Sequence, residues 1–142
     1  AGRPAAAQAL GTDLLQLYTA GLLEIWPHAL PLATGISAQP RAFALARWQA
    51  ERIPAGSQGT VTNMRHETIG LDALSIRILA LLDGQRDRPA ILDAMEAHLV
   101  AGTITLLRDG QPITDPVLYR GSLVTFLDEA LHRLASFALI ED

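Results

Sequence analysis

The sequence predicts an α+β fold, mainly helical, in the form of a winged-helix-like domain with a β-hairpin wing. Three observations predict it. Apolar residues recur at helical spacing in several separate stretches. Two of those stretches, through Leu74, Ile78 and Leu82 and through Ile91, Leu92, Met95 and Leu99, are separated by the short turn signal Asp83-Gly84. After them come two short runs, Ile104 to Leu107 and Gln111 to Ile113, around Asp109-Gly110, a dipeptide that favours a type I′ hairpin turn. Helix, tight turn, helix and hairpin make the outline.

Taken in order, Leu10, Leu14, Leu17 and Gly21 place a helix from about Ala5 to Ala20, and Leu22 to Trp26 reads as a short strand ended by Pro27. Residues 27–39, with Pro27, Pro31 and several turn formers, form a connector that holds a short strand at Leu30 to Ala33. The sequence therefore divides into residues 1–39 and 40–142. Pro40 suits the first turn of a helix running through Phe43, Leu45, Trp48 and Ile53, with Arg41, Arg47 and Arg52 partly exposed. Gly59 onward is a short β-rich run ending in Arg65-His66-Glu67. Asp72 caps the next helix, Ala73 to Leu82, and Gly84 is expected in the left-handed C′ position. A further helix starts at Asp87-Arg88-Pro89 and ends at Gly102. Asp115-Pro116 opens the last one, whose stripe is Leu123, Leu127, Leu131, Leu134 and Ala138. Leu10, Leu14, Leu17, Leu22, Leu23 and Glu24 share their spacing with Leu127, Leu131, Leu134, Leu139, Ile140 and Glu141. Either two half-domains share a plan, or any amphipathic helix running into a strand matches this way.

Composition excludes several chemistries. At 142 residues the chain is long enough to bury a sizeable core without staples. It has no cysteine, which removes disulfides, iron–sulfur clusters and thiolate zinc sites and fits a cytoplasmic location. All 11 basic residues are arginine, so neither a Schiff-base lysine nor a Walker lysine exists here. A net charge of −4 lacks the positive footprint of a nucleic-acid binder. No apolar run reaches the ~18 residues of a membrane span. The sequence is 49% hydrophobic and 18% charged, against about 25% charged in a typical soluble domain. That surplus of apolar surface predicts contact with a neighbouring domain or a weak homodimer through the first helix.

The densest polar cluster is Arg65-His66-Glu67. A histidine beside a carboxylate suits general-base work, but no nucleophile elbow accompanies it. The alternative is structural: Arg65 or His66 bonded to a backbone carbonyl or to a carboxylate such as Asp83. With Asp83, Arg86 and Arg88 these residues form the candidate structural or recognition cluster. Glu129-x-x-His132 has the spacing of carboxylate-bridged di-iron bundles, but the second copy that such sites need is missing. The winged-helix outline raises DNA binding as an alternative, yet Asp87, Asp93 and Glu96 on the second helix of the pair oppose phosphates, with Arg88 alone to offset them.

Pro40 with Arg47 and Gln49, then Val61-Thr62-Asn63-Met64-Arg65-His66-Glu67, then Leu81-Leu82-Asp83-Gly84 followed by Arg86-Asp87-Arg88, carry a family likeness. Together they resemble the C-terminal winged-helix, or regulatory, region of bacterial S-adenosylmethionine-dependent methyltransferases, specifically the rickettsial protein-lysine methyltransferases. The likeness spans about Pro40 to Asp142, and residues 1–39 resemble the end of a preceding middle domain plus a connector.

The resemblance implies a non-catalytic accessory domain, with S-adenosylmethionine bound in an absent upstream Rossmann-like domain, and hence no catalytic, cofactor or metal residue in this chain. The implied partners are that upstream methyltransferase domain and a protein substrate, with a role in substrate recognition or regulation. A narrower likeness, over Leu74 to Leu99, is to winged-helix modules that bind leader peptides by strand addition.

Overall fold

The computed structural model describes residues 3–25, 29–105, 107–108, 111–112 and 116–141. These fall into two compact units, residues 1–30 and 31–142.

In the first unit, helix α1 (Arg3–Thr19) exposes Leu10, Leu14, Leu15, Leu17 and Tyr18. It stops where Gly21 turns left-handed, with φ 70°, and the Leu22 amide reaches back to the Leu17 carbonyl. Leu22 to Ile25 form no strand, and Trp26 lies outside the described residues.

The second unit holds the core. Strand β1 (Arg41–Ala42) is followed by helix α2 (Ala44–Arg52), strands β2 (Gly59–Thr62) and β3 (Thr68–Leu71), and helices α3 (Ala73–Leu81) and α4 (Arg88–Val100). Strands β4 (Leu107–Arg108) and β5 (Gln111–Pro112), helix α5 (Pro116–Ser136) and strand β6 (Ile140–Glu141) complete it. Each two-stranded sheet is antiparallel: β1 with β6, β2 with β3 and β4 with β5.

The α2–α3–α4–hairpin order carries out the expected winged-helix outline. In the wing, Leu107 faces Pro112 and Arg108 faces Gln111; Asp109 and Gly110, the expected turn, lie outside the described residues. Ile104 and Thr105 lie outside the strand expected of them, with Ile104 buried ahead of β4, and Leu106 and Ile113 lie outside the described residues.

Local chemistry sets the helix ends. The Asp72 side chain accepts from the Ser75 amide at the start of α3, and Asp87 does the same for Ala90 at the start of α4, with Pro89 in the first turn. Each carboxylate satisfies an amide that the helix leaves unpaired. Gly84 is left-handed at φ 76°, two residues after the C-cap Leu82 and so one later than expected. Its amide bonds the Pro40 carbonyl, which ties the α3–α4 turn to β1.

Pro40 itself is a correction: it precedes a strand rather than opening a helix. The reason is long-range, because Ala42 pairs with Ile140 and the amides of Ala42 and Phe43 bond the carbonyls of Leu82 and Leu139. The expected strand at Leu30 to Ala33 reduces to a bridge between Leu32 and Glu141. The β2–β3 hairpin corrects a single β-rich run into two strands.

The last helix carries the stripe expected of it. Leu123, Leu127, Leu131, Leu134 and Ala138 are all buried, against Ile76, Leu79, Ile91 and Met95 among others. Burial of several such side chains, at about 1.5–3 kcal/mol each, drives the packing of α5 onto α3 and α4. Ala138 sits left-handed at φ 57°, and the Leu139 amide returns to Leu134. The helix stop at Leu134 thus matches the one at Leu17, residue for residue. The two ends of the chain share a helix and its stop, but the strand that follows forms at Ile140 and Glu141 alone.

Candidate functional site: a groove between two helices

The six residues singled out in the sequence fall in three places. Arg65, His66 and Glu67 make the turn between β2 and β3, and the residue that organises this turn is Asn63. Its side chain is buried, at 1% exposure. Asn63 Oδ1 accepts from the amides of Arg65 and Glu67, each at 2.9 Å, while Nδ2 donates to Glu67 Oε2 at 2.7 Å and to the Phe137 carbonyl at 2.9 Å. His66 is exposed and left-handed at φ 62°, a conformation asparagine and glycine adopt more readily. Among the described residues no hydrogen bond or ion pair joins the Arg65 or His66 side chain to Asp83.

Asp83 instead serves its own turn. Its Oδ1 accepts from the amides of Gln85 and Arg86, and Arg86 Nη1 reaches its other oxygen at 2.7 Å. Desolvation pushes the Asp83 carboxyl up, but the two amides and the Arg86 charge outweigh it and hold it below the usual carboxylate range.

Arg88 belongs to a third place. At the start of α4 it crosses to α5 and pairs with Asp128 at 2.8 Å. Further along, Arg120 on α5 reaches back to Asp93 at 3.0 Å and to Glu96 on α4. The Asp93 hydrogen bond and the Glu96 charge raise the Arg120 pKa. The two helices therefore run antiparallel, stapled by Arg88 and Asp128 at one end and by Arg120 with Asp93 and Glu96 at the other. Between the staples lies a groove of about 620 Å³ lined by Pro89, Leu92, Val124 and Leu127, with Thr125 and Glu129 on its α5 side. Val124 is 51% exposed, although it sits beside the buried Leu123.

The groove residues other than Arg88 were missed in the sequence. Val124 lies one position off the buried stripe, a signal that was present, but which face of α5 meets α4 is a tertiary fact. Asn63 gives no local sign of burial at all. The Glu129-x-x-His132 spacing assembles nothing: the His132 ring Nδ1 donates to the Asp128 carbonyl at 2.8 Å. Among the described residues no group of three or more histidine or carboxylate side chains is placed to hold a metal ion. Among them, too, no helix is long and apolar enough to cross a membrane.

Fold and site define a winged-helix domain whose α4 is held against a long C-terminal helix. Residues 38–139 match the model of the PKMT C-terminal winged helix domain, and the chain belongs to that family, the winged helix domain of protein-lysine methyltransferases. It is 30% identical over 102 residues to an uncharacterized protein of Rickettsia prowazekii (strain Madrid E), an overlap of 72% of this chain and 18% of that protein. It is also similar in fold to PKMT2 from Rickettsia typhi in complex with AdoHcy, with a TM-score of 0.79 and 22% identity over 94% of this chain and 26% of that one. A second structure of PKMT2 from Rickettsia typhi gives a TM-score of 0.78 and 20% identity, over 94% of this chain and 27% of that one. The chain thus spans about a fifth to a quarter of the length of these relatives.

Proposed function

We propose that this chain is the non-catalytic C-terminal accessory module of an S-adenosylmethionine-dependent protein-lysine methyltransferase, and that it recognises the protein substrate or regulates the catalytic domain. The observation that carries the reading is membership of the PKMT winged-helix family over residues 38–139. On this reading the cofactor and the catalytic residues belong to an upstream domain, residues 1–39 end a middle domain, and the enzyme works in the cytoplasm.

The surface chemistry supports protein over nucleic acid as the partner. On α4, the helix that a DNA-binding winged helix would place in the major groove, Asp93 is 65% exposed, and the nearest arginine, Arg120, is already held by Asp93 and Glu96. Carboxylates facing phosphates are repulsive.

Calorimetry on the 142-residue chain with S-adenosylmethionine tests the reading. No saturable heat is expected from the chain, and a saturable one from the intact parent protein. Saturable binding by the chain alone, or duplex DNA binding that weakens steeply with salt, overturns it.

A further inference from the structure

We propose that the α4–α5 groove docks a lysine-bearing, apolar-anchored segment of a protein partner, and, resting on the reading above, that this partner is the methyl-accepting substrate. The floor supplies the apolar half of the match. Pro89, Leu92, Val124 and Leu127 converge there, and the volume of about 620 Å³ lies within the range of about 300–1,000 Å³ typical of ligand sites. Val124, half exposed on the floor, is the position an incoming apolar side chain would cover.

The rim supplies the charged half. Arg88 is consumed by Asp128, and Arg120 is shared between Asp93 and Glu96, so two arginines stand against three carboxylates at the two ends. Glu129 adds a further exposed carboxylate at the groove, with no ion pair among the described residues. With Glu129 the count is two arginines to four carboxylates, a surplus of negative charge beside the apolar floor. Such a rim steers in cationic side chains and rejects acidic segments and nucleic acid. Lysine is the complementary residue, and this chain has none of its own to fill the role.

The other surfaces carry less. The exposed face of α2, where Arg52 stacks on Trp48 at 3.8 Å, satisfies its own cation. The exposed leucines of α1 have no feature that selects an occupant.

The test is fluorescence anisotropy on the 142-residue chain with a fluorescein-labelled peptide of alternating leucine and lysine, beside a counterpart with glutamate for every lysine. The lysine peptide is expected to bind at least about tenfold more tightly, with affinity falling as salt rises. Val124→Asp is expected to weaken it about tenfold or more. That loss would run against simple electrostatics, since the substitution adds a negative charge. Glu129→Gln is expected to weaken it by a few-fold, while Glu51→Gln, the same charge change on exposed α2, leaves it unaltered.

Circular dichroism on each variant keeps a folding failure from passing as lost binding. Equal affinity for both peptides, or unchanged affinity in Val124→Asp, overturns the proposal. So does an equal effect of Glu51→Gln and Glu129→Gln, which would mean attraction to net charge alone. Sedimentation in which Val124→Asp splits a dimer would make a second copy the occupant and overturn it equally. Because this binding is read without methyl transfer, a failed groove leaves the methyltransferase reading to stand or fall by the cofactor calorimetry.

Discussion

The β2–β3 turn and the α4–α5 groove make opposite use of their polar residues. The turn packs arginine, histidine and glutamate into three consecutive positions, yet its hydrogen bonds run inward through Asn63 to its own backbone and to Phe137. The groove has a sparse, ordinary-looking sequence, but its arginines and carboxylates sit at the ends of an apolar floor that no described residue fills. The backbone of the dense polar motif and its Glu67 side chain are thus held by one buried amide, and the open surface lies where two helices are stapled together.

The largest effect expected from this contrast is at Asn63. Replacing it with alanine removes four hydrogen bonds and strands two turn amides and the Phe137 carbonyl, so urea unfolding is expected to show a loss of about 2–4 kcal/mol. His66→Ala, three residues away and exposed, is expected to change stability by no more than about 0.5 kcal/mol. Equal losses at the two positions would erase the distinction between the buried organiser and its decoration.

Gly84 comes next. A Cβ there would lie 3.3 Å from the Arg41 side chain in a left-handed backbone, so Gly84→Ala is expected to cost about 1–2 kcal/mol in thermal melts, from strain and from crowding of the turn against β1.

Asp72→Ala is expected to cost about 1 kcal/mol as a lost N-cap. Its acid dependence adds a second reading. Desolvation pushes the Asp72 carboxyl up, but the Ser75 amide and hydroxyl and the Arg133 charge prevail and hold it below its usual value. The unfolded chain therefore takes up the proton first. Its stabilising contribution is full above about pH 4 and fades as pH falls through the lower, folded value. Unfolding curves of the parent and of Asp72→Ala should converge in that acid window. Curves that stay parallel down to the lowest pH would show that the carboxylate is not what the cap rests on.

The smallest expected effect is on self-association. Leu14→Asp on the exposed face of α1 should shift sedimentation toward monomer if that helix supports a weak dimer, as its apolar surface suggests. A strict monomer at high concentration, unchanged by the substitution, would remove α1 as a dimer contact.

What the sequence revealed follows the range of the interactions involved. Asp72, Asp87 and Gly84 act within a few residues, and the caps and turn they signal are present. The α5 stripe is periodic and therefore visible. The short strands on either side of Asp109-Gly110 pair as that dipeptide suggests. Pro40, by contrast, reads as a helix opener because the strand that follows it, Arg41 and Ala42, finds its partner about a hundred residues away at Ile140 and Glu141. Asn63 looks like any turn residue until Phe137 is brought beneath it. The groove is invisible for the same reason: Leu92 and Val124 become neighbours only when α5 folds back antiparallel to α4.

On the function proposed above, steady-state methyl transfer to a lysine-bearing protein by the intact methyltransferase, with and without Val124→Asp, bears on the recognition role most directly. The expected result is a KM for the protein raised about tenfold or more, with kcat and the affinity for S-adenosylmethionine unaltered, since an interaction made equally in the ground and transition states affects binding alone. A fall in kcat or in cofactor affinity with KM unchanged would contradict it.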